Sequence, residues 1–78
     1  MKDFLLLLVK NIVTNPKDVA VSEKTDTTGS ILLELKVNPN DIGLVIGKGG
    51  KVIKSLRNLV KVKAIFEKKR VSIVLLEE

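Results

Sequence analysis

The run Val45-Ile46-Gly47-Lys48-Gly49-Gly50-Lys51-Val52-Ile53 holds three glycines within four positions, pressed between two apolar β-branched pairs. That pattern describes a tight turn with apolar shoulders, because glycine serves where the backbone takes positive φ or approaches another backbone closely. Upstream, Asn38-Pro39-Asn40-Asp41 offers an N-cap, a proline at the first helical position and an acid two residues on, which predicts a short helix over 39–46. Downstream, Val52, Ile53, Leu56, Leu59, Val60 and Ala64 recur at helical spacing, so a second helix starts at about Gly50 or Lys51. The core of the chain is therefore helix, Gly-Lys-Gly-Gly, helix.

A turn of this kind directs backbone N–H groups and the positive end of the second helix outward, with Lys48 and Lys51 beside them. Such a site suits an anion, and phosphate is the natural one. From the loop alone, a glycine-rich corner between two helices with no ligand remains the alternative.

Working outward, residues 3–14 read as a first helix with Leu5, Leu8, Val9 and Ile12 on one side, and Asn15-Pro16 stops it. Leu6 and Leu7 fall outside that stripe, and Leu7 lies near Lys10 and Asn11 on the wet face. They form a candidate patch for a partner chain, against the plainer reading of a wide buried face or an exposed leucine. Residues 19–24 alternate as a short strand. Thr25-Asp26-Thr27-Thr28-Gly29-Ser30 has turn composition, and Ile31, Leu33, Leu35 and Val37 alternate with Leu32, Glu34 and Lys36 as a second strand, which closes a hairpin. In the third helix, about 51–66, Val52, Ile53, Leu56, Leu59 and Val60 point inward while Lys51, Lys54, Arg57, Asn58 and Lys61 point out. Lys63 falls on the apolar stripe, so either it snorkels or the helix frays near residue 62. Val71, Ile73 and Leu75 alternate in a last strand, and Glu77-Glu78 ends it in water. The order α-β-β-α-α-β, with a helix pair crossing between two strands, predicts an α+β fold. Three helices pack on one face of a three-stranded mixed sheet, in one domain over 1–78.

Composition narrows the function. The 78 residues contain no cysteine and no histidine, which removes disulfides, thiolate chemistry and the commonest base and metal ligand. The acids lack ligand-like spacing, so no metal, cofactor, small-molecule substrate or catalytic group is expected, and the chain reads as a non-enzyme. Net charge is +5, and all of the excess lies in residues 41–78. A basic half suits a polyanion, nucleic acid ahead of a membrane surface, with a solvated helix face as the bland alternative. Phe4 to Val9 is too short for a signal peptide or membrane span, so a soluble, cytoplasmic protein with no membrane role is expected.

Val45-Ile46-Gly47-Lys48-Gly49-Gly50 followed by Val52-Ile53 resembles the signature of the KH domain, whose GxxG loop clamps the backbone of about four nucleotides of single-stranded nucleic acid. The resemblance extends to Asn15-Pro16, Val19 and Val21, the strand from Ile31 to Val37, Pro39-Asn40-Asp41-Ile42-Gly43, and Lys69-Arg70-Val71-Ser72. In length and motif order the chain is similar to the bacterial single-KH proteins of the KhpA family. The resemblance implies a type II KH fold, with phosphates on Gly47, Lys48, Gly49, Gly50 and Lys51, auxiliary charge from Lys54 and Arg57, and bases over Ile46, Val45, Val52 and Ile53 against an edge strand; all four also fit a purely structural core role, which is the favoured one for Ile53. It further implies an RNA-chaperone or post-transcriptional role in single-stranded RNA binding, with a self-dimer or a heterodimer with a larger KH-containing RNA-binding protein. Links to cell shape, division and cell-wall biogenesis come with it. Scarce aromatics count against an RRM and not against a KH domain. A protein-interaction module using the leucine-rich first helix, and a single-stranded DNA binder, are the alternatives. The chain departs from the family pattern after the third helix, where Lys63, Phe66 and Lys68-Lys69 replace small residues and a glycine.

Overall fold

The computed structural model describes residues 1–77, and Glu78 lies outside them. Its elements are α1 (Lys2–Lys10), β1 (Ala20–Thr25), β2 (Ile31–Lys36), α2 (Ile42–Ile46), α3 (Lys51–Phe66) and β3 (Val71–Leu75), with 3-10 turns at Pro16–Asp18, Pro39–Asp41 and Lys48–Gly50. The order is the expected α-β-β-α-α-β. β1 pairs antiparallel with β2, from Ala20 opposite Lys36 to Thr25 opposite Ile31. β2 pairs in parallel with β3, from Ile31 beside Val71 to Leu35 beside Leu75. The α2–α3 crossover between β2 and β3 is what permits parallel pairing, since parallel neighbours need a long connection.

Alternation sets the two faces of the sheet. Ile31, Leu33, Leu35 and Ile73 are buried beneath the helices, joined by Leu5 and Val9 of α1, Val45 of α2, and Ile53, Leu56 and Val60 of α3. The other face mixes polar residues with Leu32 and the exposed Val74 and carries the Lys24–Glu34 ion pair at 2.9 Å. Leu32 is half-buried on that face.

The structure departs from the sequence reading at several points. The helix expected over 39–46 is a 3-10 turn, Pro39–Asp41, followed by α2, Ile42–Ile46. The first helix ends at Lys10, short of the expected 14, because the Asn11 side chain donates to the Leu7 carbonyl at 2.7 Å and the Ile12 and Val13 amides both turn back to Val9 O. β1 is displaced by one residue, from 19–24 to 20–25, since Val19 caps the 3-10 turn that follows Asn15. Leu59, expected inward, is 49% exposed: the buried stripe of α3 runs Ile53, Leu56, Val60, Ala64, and Leu59 sits about 100° away from Val60 around the helix. The helix does not fray. Lys63 snorkels, its ammonium 3.1 Å from Glu67 and 5.4 Å from the centre of the Phe4 ring.

Two devices fix the ends of α2 and α3. Asp41 is 1% exposed, and its carboxylate accepts four bonds: Thr14 N–H at 3.3 Å, Thr14 Oγ1 at 2.6 Å, Asn15 N–H at 3.0 Å and Asn15 Nδ2 at 3.1 Å. A residue that reads as a helix-start acid is thus the clamp that ties the chain after α1 to the entry of α2. Asn38, in turn, caps as expected, accepting from the Asn40 amide at 2.8 Å. At the other end, the Lys69 amide donates to Ala64 O at 2.8 Å and the Lys68 amide to Ile65 O at 3.0 Å, the paired bonds of a Schellman ending. Lys68 takes the left-handed position of that ending, φ 57, where glycine is usual and a side chain costs about 1–2 kcal/mol.

Hydrogen bonds from Thr14, and then from Asn15, hold the Asp41 carboxyl below the usual carboxylate range against the opposing effect of its burial. A carboxylate with a lowered folded-state pKa contributes stability that is full above its unfolded pKa and is lost as pH falls through the folded one. Thermal melts between about pH 7 and about pH 3 should therefore show a fall in Tm that begins near pH 4. Asp41→Asn should lower Tm at neutral pH and flatten that acid slope, and Asp41→Ala should lower Tm further. An unchanged slope in Asp41→Asn would contradict the clamp.

Candidate nucleic-acid interface

The glycine loop begins where α2 stops. Gly47 has φ 76 and ψ 170, Gly49 φ 65 and ψ 20, and Gly50 φ 77 and ψ 14. The three glycines are not equivalent. A Cβ on Gly47 would overlap the Val52 side chain and come within 2.8 Å of the Val52 backbone nitrogen, so glycine there permits the start of α3 to lie against the end of α2. A Cβ on Gly49 or Gly50 would meet nothing within 4 Å. These two shape the backbone and leave open space above it, where a bulky ligand can approach.

The Gly47 amide donates to Gly43 O at 2.9 Å, the Gly50 amide to Gly47 O at 3.1 Å, and the Lys51 amide to Lys48 O. The amides of Lys48 and Gly49 stand outside these bonds. Lys48, Lys51 and Lys54 are exposed, and the first turn of α3 holds no acid. Cations at the positive end of a helix are placed against its dipole, an arrangement that an anion reverses. Among the described residues, neither ion pair, Lys24–Glu34 nor Lys63–Glu67, involves Lys48, Lys51, Lys54 or Arg57.

From the loop the basic strip continues along one flank of α3. Arg57 and Asn58 lie three and four residues after Lys54, and Lys61 lies four and three after them, so the four share a side. Across from Arg57, Asn58 and Lys61 stands the edge strand β3, and between them lies a cleft of about 430 Å³ whose lining is completed by Val60 of α3 and Val71, Ser72 and Ile73 of β3. The edge strand thus lies opposite the basic flank.

Val45 is fully buried and Ile53 only 8% exposed, so both belong to the core and neither offers a surface to a base. The physical reason is their position on the inward side of α2 and α3. Ile46 and Val52 are partly exposed next to the loop. Asn58, Lys61 and Ser72 join the cleft unpredicted; the recurrence of Arg57 and Lys61 four residues apart was the available signal for Lys61.

The candidate partner surface is also redistributed. Leu6 packs against the core, while Leu7 is 62% exposed. A larger apolar cluster lies on the outer side of α3, where Leu59, Val62, Ile65 and Phe66 are all exposed, Phe66 by 83%. Among the described residues there is no cluster of potential metal ligands, and no helix is long and apolar enough to cross a membrane.

A mixed three-stranded sheet under three helices, with a Gly-x-x-Gly turn joining two of them beside a basic cleft, defines a type II KH domain. Comparison with known proteins carries this further. Residues 2–75 match the family model of the KhpA/KhpB KH domain, and the chain belongs to that family, which is not one of enzymes. It is 48% identical over 71 residues to the RNA-binding protein KhpA of Clostridium acetobutylicum and 46% identical to that of Clostridium perfringens, covering 91% of this chain and 93% of each relative. To the RNA-binding protein KhpA of Chlamydia trachomatis it is 41% identical over 78 residues, 100% of this chain and 99% of the relative.

The unequal glycines yield a direct test. Gly47→Ala should destabilise the fold by about 2–4 kcal/mol, from positive φ and the contact with Val52 together. Gly43→Ala, inside α2 with nothing within 4 Å, should be neutral or stabilising by up to about 1 kcal/mol. Urea denaturation of the two variants measures the difference, and equal effects would contradict the assigned loop geometry.

Proposed function

We propose that this chain binds single-stranded RNA, holding the sugar-phosphate backbone on the loop Gly47–Gly50 and laying bases into the cleft between α3 and β3. The observation that carries this reading is the open glycine turn at the positive end of α3, beside exposed lysines at 48, 51 and 54 that neither ion pair among the described residues engages. Phosphates accept from the loop amides and from Lys48 and Lys51, and Lys54 and Arg57 extend the positive field towards the cleft. The names of its relatives, RNA-binding protein KhpA, support the choice of RNA. Single-stranded DNA is the competing ligand.

Backbone contacts position a strand but carry little sequence information, so one domain with a footprint of about four nucleotides binds loosely. Useful affinity then calls for a second KH surface, whether from another copy or from a larger KH-containing RNA-binding protein, because linking two sites raises effective concentration. The exposed apolar residues of α3, with Leu7 of α1, supply a surface for such an association. This is consistent with action as a cytoplasmic RNA chaperone or post-transcriptional regulator, and through it with cell shape, division and cell-wall biogenesis.

The test replaces Lys48 and Gly49 by aspartate together. Gly49 sits in the left-handed region, which aspartate tolerates, with open space around it, so the fold should persist by circular dichroism. Binding to short single-stranded RNA, read by fluorescence anisotropy across a salt series, should fall by about tenfold or more in the double variant, while the native chain shows affinity declining steeply with salt. Equal binding by a folded double variant would overturn the loop reading, and tighter binding of the native chain to DNA than to RNA would replace the substrate.

A further inference from the structure

We propose that Lys68, Lys69 and Arg70, together with the turn Thr28–Ser30, form a second phosphate-binding station that takes the RNA strand as it leaves the cleft. The inference rests on the RNA reading above and extends its footprint beyond the glycine loop.

The placement follows from the parallel pairing of β2 and β3. Their first residues, Ile31 and Val71, lie side by side, and the Ile31 amide donates to Arg70 O at 2.8 Å. The turns that precede the two strands therefore meet. Between them lies a pocket of about 450 Å³ lined by Thr28, Gly29, Ser30, Lys68, Lys69 and Arg70. α3 runs from the glycine loop to this turn, and its sixteen residues span about 24 Å. The basic strip of Lys54, Arg57 and Lys61 fills the interval. The cleft ends at Val71 and the pocket begins at Arg70, so the two are consecutive along the chain.

Three further observations point to an anion there. First, three adjacent exposed cations repel one another, and neither of the ion pairs found among the described residues includes them. Second, the nearby acids are held chiefly by other groups: Asp26 accepts from the Thr28 amide, Thr28 Oγ1 and the Ser30 amide at 2.8, 2.6 and 3.0 Å, while Glu67 pairs with Lys63 at 3.1 Å and Lys69 adds only a smaller charge interaction to it. The single hydrogen of Thr28 Oγ1 goes to Asp26, so the 3.2 Å contact between Thr28 Oγ1 and Ser30 Oγ is made by the Ser30 hydrogen. Third, the left-handed Lys68 that ends α3 turns the chain so that Lys68, Lys69 and Arg70 line one pocket with Thr28, Gly29 and Ser30.

The experiment compares single-stranded RNAs of about 4 and about 12 nucleotides, the range between one KH footprint and an extended site. The variant is Lys68→Gly, Lys69→Gln, Arg70→Gln; Lys68→Gly relaxes the turn, and a charge-retaining Lys69→Arg, Arg70→Lys variant controls for structure. On the long RNA the triple variant should bind about tenfold or more weakly. The slope of log affinity against log salt should shrink by about 2, because about three fewer phosphates of a single strand are neutralised. On the short RNA both should be unchanged, and the charge-retaining variant should match the native chain on both lengths. No weakening on the long RNA, or an equal weakening on both lengths, overturns the station while leaving the loop reading standing. Failure of the native chain to bind either RNA overturns both readings. A triple variant that loses affinity for an acidic protein but not for long RNA would reassign the patch to a protein partner and overturn the station.

Discussion

Gly47 is the position on which the arrangement depends. Its missing side chain lets the nitrogen and side chain of Val52 approach to a distance no other residue permits, and that approach sets how α2 meets α3. Once the two helices are so joined, Gly49 and Gly50 lie at the apex of the turn with open space above them. The positive end of α3, the lysines at 48, 51 and 54, and the cleft along β3 then share one side of the molecule. The groups exposed there are backbone amides, ammonium groups and a guanidinium, all of them donors suited to an anion.

The rest of the fold serves to hold that corner still. Asp41 ties the entry of α2 to Thr14 and Asn15 through four hydrogen bonds, and so joins the two ends of the helical layer across 26 and 27 residues of sequence. Val45, Leu56 and Val60 anchor the two helices on the sheet. The glycine-rich segment is thereby anchored on both sides by packed helices, and a backbone held in this way would incur a smaller ordering cost on meeting a ligand.

Much of this was legible in the residues, because the signals were local. Alternation over Ile31–Val37 and helical spacing over 51–66 identify β2 and α3, and the glycine run marks the corner between α2 and α3. The antiparallel and parallel pairings follow from the lengths of the connections. What was not legible depended on long-range contacts. Asp41 has the spacing of a helix-start acid, and nothing near it in sequence announces partners in Thr14 and Asn15. Val45 and Ile46 look alike as neighbours at the end of a helix, yet only packing decides that one is buried and the other partly open. Leu59 and Val60 differ in the same way. Lys68 takes a glycine's conformation without being glycine, which no propensity predicts.

The central claim is that phosphate meets the chain at the glycine loop. It is tested most directly by following backbone amide signals of the isotope-labelled chain by nuclear magnetic resonance as a short single-stranded RNA is added. The account predicts the largest changes at Lys48, Gly49 and Lys51, with smaller ones at Arg57, Lys61 and Ser72 along the cleft. Changes that spare the loop and concentrate on the outer side of α3, from Leu59 to Phe66, would contradict it.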